Sequence, residues 1–241
     1  MASIENSFGG KSTFVGSRDK AFVENKMRVS NAPVYNFDVT ATYWDSVGGV
    51  TDKASFIDFL ETTSFLTDVI VENFSLIGGR LQCNLTANGY FLYLIELAIT
   101  DVYKLGDIDG LGELVLSGNQ IVTFNPTIAL PSSLQVLYLN SNQIVTFNPT
   151  IALPSSLLTL DLNGNQIVTF NPTIALPSSL LTLDLNFNQM TTAGYIASET
   201  WATTLHIAPA GGKIYFITNI DSVSGTTLET ILTGKGWTVI S

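Results

Sequence analysis

Sixteen residues, NQIVTFNPTIALPSSL, occur three times without a change, starting at Asn119, Asn142 and Asn165. The seven residues between successive copies do differ, QVLYLNS and then LTLDLNG. A unit repeated at a fixed period of 23 residues must give each copy the same surroundings. A stack in which each unit packs only on its two neighbours does this, and an irregular globule does not. The repeat therefore decides the architecture before any other feature is weighed.

The marked positions extend beyond the identical copies. Leu111, Leu114, Leu116, Asn119 and Ile121 recur as Leu134, Leu137, Leu139, Asn142 and Ile144. They recur again as Leu157, Leu160, Leu162, Asn165 and Ile167, then as Leu180, Leu183, Leu185, Asn188 and Met190. The pattern LxxLxLxxNxI over residues 111–190 resembles the leucine-rich repeat. That resemblance implies a β-rich α/β solenoid, a shallow horseshoe whose LxL segments form one parallel sheet on the concave face. The leucines then point inward, with Ile121, Phe124, Ile128 and Leu130 and their copies as the far wall. Stacking predicts columns: Phe124, Phe147 and Phe170 at about one strand spacing, ~4.8 Å. The asparagine column is placed to satisfy backbone groups where the chain leaves the sheet. The Asn-Pro and LPSS segments disfavour helix, so the convex side is predicted to be mostly turns and extended chain. A worn copy is expected at NGYFLYLIELAIT, with Phe91 and Tyr93 in the registers of Leu114 and Leu116 and Glu96 in place of the Asn.

Four segments follow. Residues 1–50 are predicted to be an extended N-terminal arm and attachment segment, β-prone from Val34 to Trp44. Residues 51–110 form an N-terminal cap with degenerate repeats and a helix, with Thr51 as N-cap and Phe56, Phe59 and Leu60 on one face. Residues 111–190 are the repeats, and 191–241 a helix-containing C-terminal cap that covers the apolar flank of the last unit. The arm is basic: Lys11, Arg18, Lys20, Lys26 and Arg28 give residues 1–28 a net charge of +2, against −12 for the rest of a chain whose total is −10. An acidic body is repelled by nucleic acid. No apolar run approaches the roughly 20 residues that span a membrane. The expected partners accordingly exclude nucleic acid and membrane insertion. The segment MASIENSFGGKSTF lacks an apolar h-region, which predicts no secretory signal. Cys83 stands alone and reads as a buried thiol.

The varying residues alternate with the inward leucines and so face out of the concave sheet. They form columns: Val115, Tyr138, Asp161, Asp184; Ser117, Asn140, Asn163, Asn186; and, at the strand exit, Gly118, Ser141, Gly164, Phe187. Val136 belongs to a further column with Glu113, Thr159 and Thr182. The predicted ligand contacts are Val115, Val136, Tyr138, Asn140, Asp161, Asn163, Asp184, Asn186 and Phe187. Recent duplication explains the identity of the copies. It explains less well the unchanged Ser and Thr of the convex side, which as surface residues should also drift. Variation favoured on a binding face, and recombination between copies, remain as alternatives.

No nucleophile–base set is visible in the spacing, and His206 is the sole histidine. Asp161 and Asp184, about one strand apart, could share a proton or hold a cation. DIDGLGE from Asp107 departs from a calcium loop at Leu105 and Leu116, where acidic ligands belong. The expectation is a protein with no catalytic residues, metal or cofactor. The repeat unit and the ending NQMTTAGYIASETWA also resemble leucine-rich proteins of Bacteroidetes bacteria and their phages. That resemblance implies a virion component, a capsid decoration or fibre-associated protein, that meets a protein or glycan on a host surface through its concave face and an assembly neighbour through the basic arm. The alternative is a bacterial cell-surface or exported adhesin.

Overall fold

The computed structural model describes residues 34–38, 50–77, 80–95, 99–102, 108, 110–126 and 129–241. The basic residues Lys11, Arg18, Lys20, Lys26 and Arg28 lie outside them, as do Glu96 and Ile128.

The N-terminal part is a four-stranded antiparallel sheet and a helix. Strand β1 (Val34–Asp38) lies in the β-prone stretch and pairs with β3 (Arg80–Asn88) on one side and β5 (Asp101–Val102) on the other. The second neighbour of β3 is β2 (Thr67–Ile77). Helix α1 (Lys53–Thr63) buries Phe56, Phe59 and Leu60, as their spacing predicts. Its N-cap is Asp52 rather than Thr51: the Asp52 carboxylate accepts from the Ser55 amide at 2.9 Å, and the Ser55 hydroxyl bonds back to the Asp52 amide. A carboxylate there also meets the positive end of the helix dipole. Cys83 is fully buried in β3, and burial pushes its thiol pKa up to about 12.

The second sheet has seven parallel strands: β4 (Phe91–Tyr93), β6 (Glu113–Val115), β7 (Val136–Tyr138), β8 (Thr159–Asp161), β9 (Thr182–Asp184), β10 (Lys213–Tyr215) and β11 (Thr238–Ile240). From β4 to β9 the spatial order is the chain order of a solenoid. Leu114, Leu137, Leu160 and Leu183 pair in register and are fully buried. The worn copy is displaced by one residue from its expected register. Leu92 pairs with Leu114, so Leu92 and Leu94 point inward, while Phe91 and Tyr93 face out beside Glu113 and Val115. An aromatic pair cannot replace the core leucines when two leucines alternate with it.

Behind the sheet, Phe124, Phe147 and Phe170 stack with centroids 6.1 and 6.0 Å apart. This is wider than the ~4.8 Å strand spacing. Beside the first pair of rings Thr123 and Thr146 form a parallel bridge, so successive units keep strand-like backbone contact behind the sheet as well. Of the other far-wall positions, Ile121 and Leu130 are buried, but Ile151 and Ile174, copies of Ile128, are only half-buried.

Two polar ladders bind the units. Asn142 donates to the carbonyls of Leu116 and Leu139 and accepts from the Ile121 amide; Asn165 and Asn188 repeat this one and two units on. Asn219, outside the 23-residue period, adds a rung: it donates to Leu185 and Phe216 and accepts from Met190. On the convex side the hydroxyls of Ser133, Ser156 and Ser179 donate to the carbonyls of Leu111, Leu134 and Leu157. Thr150 and Thr173 bond through amide and hydroxyl to Asn125 and Asn148 of the preceding unit. Ser133, Ser156, Ser179, Thr150 and Thr173 are thus joints between units, which gives their identity a structural cause, while Ser132, Ser155 and Ser178 are exposed. Among the described residues, the return paths between β6 and β9 are turns and extended chain, as the Asn-Pro and LPSS segments predict.

Both ends are closed by different means. At the N-terminal end, the buried Ser64 hydroxyl accepts from the Tyr93 amide at 3.0 Å, blocking the edge of β4. At the other end, helix α2 (Thr192–Thr204) sets Trp201 edge-on to Phe170, at 4.7 Å and 90°, and ends the ring stack. Its Ser198 hydroxyl accepts from the Phe170 amide. Gly194 permits this approach, since a Cβ there would sit 2.0 Å from the Val168 carbonyl oxygen. Helix α3 (Thr227–Gly234) packs on α2 and leads into β11.

Candidate functional site on the concave sheet

Register places one row of side chains along the middle of the concave face: Tyr93, Val115, Tyr138, Asp161, Asp184 and Tyr215. The two carboxylates stand side by side, with a tyrosine on each flank. Of the predicted contacts, Tyr138, Asp161 and Asp184 meet here as expected. Tyr93 and Tyr215 were missed. Tyr215 lies in IYFITN, which repeats LDLNFN of residues 183–188 at a spacing of 31 rather than 23 residues, so a fixed-period reading passes over it.

Two predicted contacts are not free. Val115 is only 6% exposed, because its register partners on either side are Tyr93 and Tyr138. Asn186 is 8% exposed, and its side-chain oxygen accepts from the Ile217 amide at 2.5 Å, tying β9 to the chain after β10. Asn140 accepts from the Ser117 hydroxyl at 2.5 Å and stays half-buried, as do Asn163 and Val136.

The strand-exit column has a backbone role that its variability hides. Gly118, Ser141, Gly164 and Phe187 have φ of 69°, 56°, 65° and 50°, and Thr218 continues the series at 57°. This left-handed turn aims the chain so that the next residue, the ladder asparagine, points inward. Glycine suits it and a bulky residue is disfavoured. Phe187 nonetheless occupies it with 55% of its surface exposed, next to Ile217, whose carbonyl accepts from the Phe187 amide. Ile217 is itself 39% exposed.

The carboxylates are held in a half-buried setting. Burial, with a smaller push from the Asp184 charge, raises Asp161 to about 6, against the pull of a 2.9 Å bond from the Asn163 amide. Burial also raises Asp184, opposed by the Asn186 amide and by the Asn163 and Asn186 side chains. The Tyr138 hydroxyl is raised by burial and by Glu113 and Asp161. Glu113 also accepts from the Tyr93 hydroxyl at 3.3 Å. The face is therefore acidic, aromatic and partly desolvated; among the described strands of this sheet Lys213 is the one basic residue, diagonal to Asp184 in the next outward row. Among the described residues, no three His, Cys, Asp or Glu side chains gather as a metal group. His206 is in the C-terminal cap, its ring 5.4 Å from that of Trp237.

A parallel sheet lining the hollow of a curved stack, with an asparagine ladder at the strand exits, defines a solenoid of the leucine-rich-repeat type. Residues 177–197 match the family model described as Leucine Rich repeat. No curated protein matches the chain. A leucine-rich repeat points to a role in protein interaction, and such repeats are typically non-enzymatic binding modules.

Proposed function

We propose that this chain is a non-catalytic recognition protein that holds a protein partner against its concave face, and that it works as a virion component, decorating a capsid or accompanying a fibre. The observation that carries the binding role is the row Tyr138, Asp161, Asp184 and Tyr215, with Phe187 at its rim. These side chains stand on a rigid sheet, so binding adds little ordering cost. The buried leucines and the two ladders hold the fold without Tyr138, Tyr215 or Phe187, while each carboxylate accepts one backbone amide, Asp161 from Asn163 and Asp184 from Asn186. Phe187 in particular is a bulky, exposed side chain at a position where glycine is better for the fold.

The virion assignment, with a host-surface protein or glycan as ligand, draws on the resemblance to leucine-rich proteins of Bacteroidetes and their phages. The basic segment with Lys11, Arg18, Lys20, Lys26 and Arg28, on an otherwise acidic chain, supports attachment to an assembly neighbour. The low charged fraction of 12%, which leaves a polar surface of Asn, Thr, Ser and Gly, suits a particle-borne protein and equally the alternative, a bacterial cell-surface or exported adhesin. Fractionation separates the two: the protein sediments with purified particles in the first case and with the bacterial envelope in the second. Binding of the purified chain to whole host cells tests the face. Tyr138→Ala and Asp161→Ala should each weaken it by about 1–2 kcal/mol if they are hot spots. Equal binding by both variants and the parent would remove the concave face from the reading.

A further inference from the structure

The C-terminal half of the concave face carries two kinds of surface side by side. The aromatic and apolar part is the half-buried Tyr138 and Tyr215 with the exposed Phe187 and Ile217, on a sheet face where no described helix packs closely against β7, β8, β9 or β10. The charged part is Asp161 and Asp184, in the two strand positions between the tyrosines. Tyr138 and Tyr215 stand three strand intervals apart, ~14 Å at the backbone. From Asp184 to Phe187 the chain advances three residues, at most ~10 Å. We propose that this half-face docks a protein segment presenting a lysine or arginine beside an apolar side chain, the cation entering over Asp161 and Asp184 between the tyrosines and the apolar group resting on Phe187 and Ile217. This rests on the concave face being the recognition surface.

Charge complementarity selects the occupant. The two carboxylates are half-buried side by side, and no Lys or Arg of the sheet shares their row: the nearest strand basic residue, Lys213, lies in the other outward row, paired with Thr182. Desolvation destabilises both carboxylates in the free protein, as their raised pKa values reflect. An arriving cation relieves this cost, and a neutral or acidic segment adds to it. A tyrosine on each flank adds aromatic surface on which a cation can rest, an attraction strongest where water is excluded. A guanidinium can meet two carboxylates through its fork of donors, while an ammonium meets them as a point charge. The apolar pair at the rim makes the partner a protein segment rather than a bare cation.

The experiment is selection of a displayed random-peptide library on the folded chain. A selected peptide is then compared with its twin in which arginine is replaced by neutral citrulline, or lysine by acetyl-lysine. The expected result is enrichment of basic residues next to apolar ones and at least about tenfold weaker binding of the neutral twin, an order of magnitude set by a lost charge-assisted contact. The double variant Asp161→Asn/Asp184→Asn, isosteric and checked by circular dichroism, should bind parent and neutral twin alike. Phe187→Gly should weaken both. Peptides that need Tyr138 and Phe187 but show no basic enrichment, and bind the Asn variant as well as the parent, overturn this inference while keeping the concave face as the binding surface. Peptides indifferent to every concave substitution overturn both.

Discussion

Asn165→Ala tests the ladder, because the bonds at this rung are individually resolved. The Asn165 side chain is 5% exposed. Its oxygen accepts from the Ile144 amide at 2.9 Å, and its nitrogen donates to the carbonyls of Leu139 at 3.0 Å and Leu162 at 2.9 Å. Alanine orphans the Ile144 amide, while the carbonyls of Leu139 and Leu162 each lose one donor and keep another, from Asn142 and Asn188. A buried group so orphaned costs about 1–3 kcal/mol. The two lost carbonyl bonds add about 0.5–1.5 kcal/mol each and a water entering the vacated space recovers part, so the expected loss is about 2–4 kcal/mol. Asn165→Asp should be worse at neutral pH, since it keeps the acceptor but sets a charge against two carbonyl oxygens. The pKa of the introduced carboxyl would be raised in the folded state, so its penalty should shrink as pH falls and the group protonates. The assay is urea unfolding followed by circular dichroism, with amide hydrogen exchange to locate the damage, because repeat arrays can depart from two-state behaviour. The Ile144 amide should lose protection, and Ile121, bonded to Asn142 one unit earlier, should lose much less. A loss below about 1 kcal/mol with the Ile144 amide still protected would refute the idea that the rungs hold the units together.

Leu160→Ala, in a fully buried column between Leu137 and Leu183, should cost about 2–5 kcal/mol in the same unfolding assay. Asp161→Asn should change the pH profile of stability: a carboxyl raised to about 6 on folding contributes least above that pH, so the parent loses stability as pH rises from about 4 through 6. Because the group is only partly buried, the gain of the variant at pH 7 is about 1 kcal/mol, and it should vanish near pH 4; a gap independent of pH would mean that the charge is not what costs stability. Phe187→Gly should leave stability unchanged or raise it by up to about 1 kcal/mol, since relief of the φ of 50° outweighs the extra entropy of the unfolded glycine. A melting temperature that falls sharply would show that the ring supports the fold rather than a ligand.

The sequence determined the stack by itself. Four agreeing registers leave a single kind of packing, and alternation within each LxL segment says which residues face the hollow. The same logic made the asparagine column legible, since a polar residue recurring between core positions must find backbone partners. Three things required the tertiary structure. The register of the first strand was one: FLYL alternates aromatic with aliphatic residues, so either set could face inward, and only the neighbouring Leu114 decides for Leu92. The extent of the array was another. IYFITN continues the sheet and the ladder through Tyr215 and Asn219, but a long excursion through α2 breaks the period, and only folding shows that the two segments adjoin. The last was the meaning of what stays fixed and what changes. Ser133, Ser156, Ser179, Thr150 and Thr173 look like free surface along the chain, yet each reaches the unit before it. The position of Phe187 looks merely variable, yet it is a left-handed turn. Such roles depend on contacts about 23 residues apart and on a backbone angle, and neither is written in the identity of one residue.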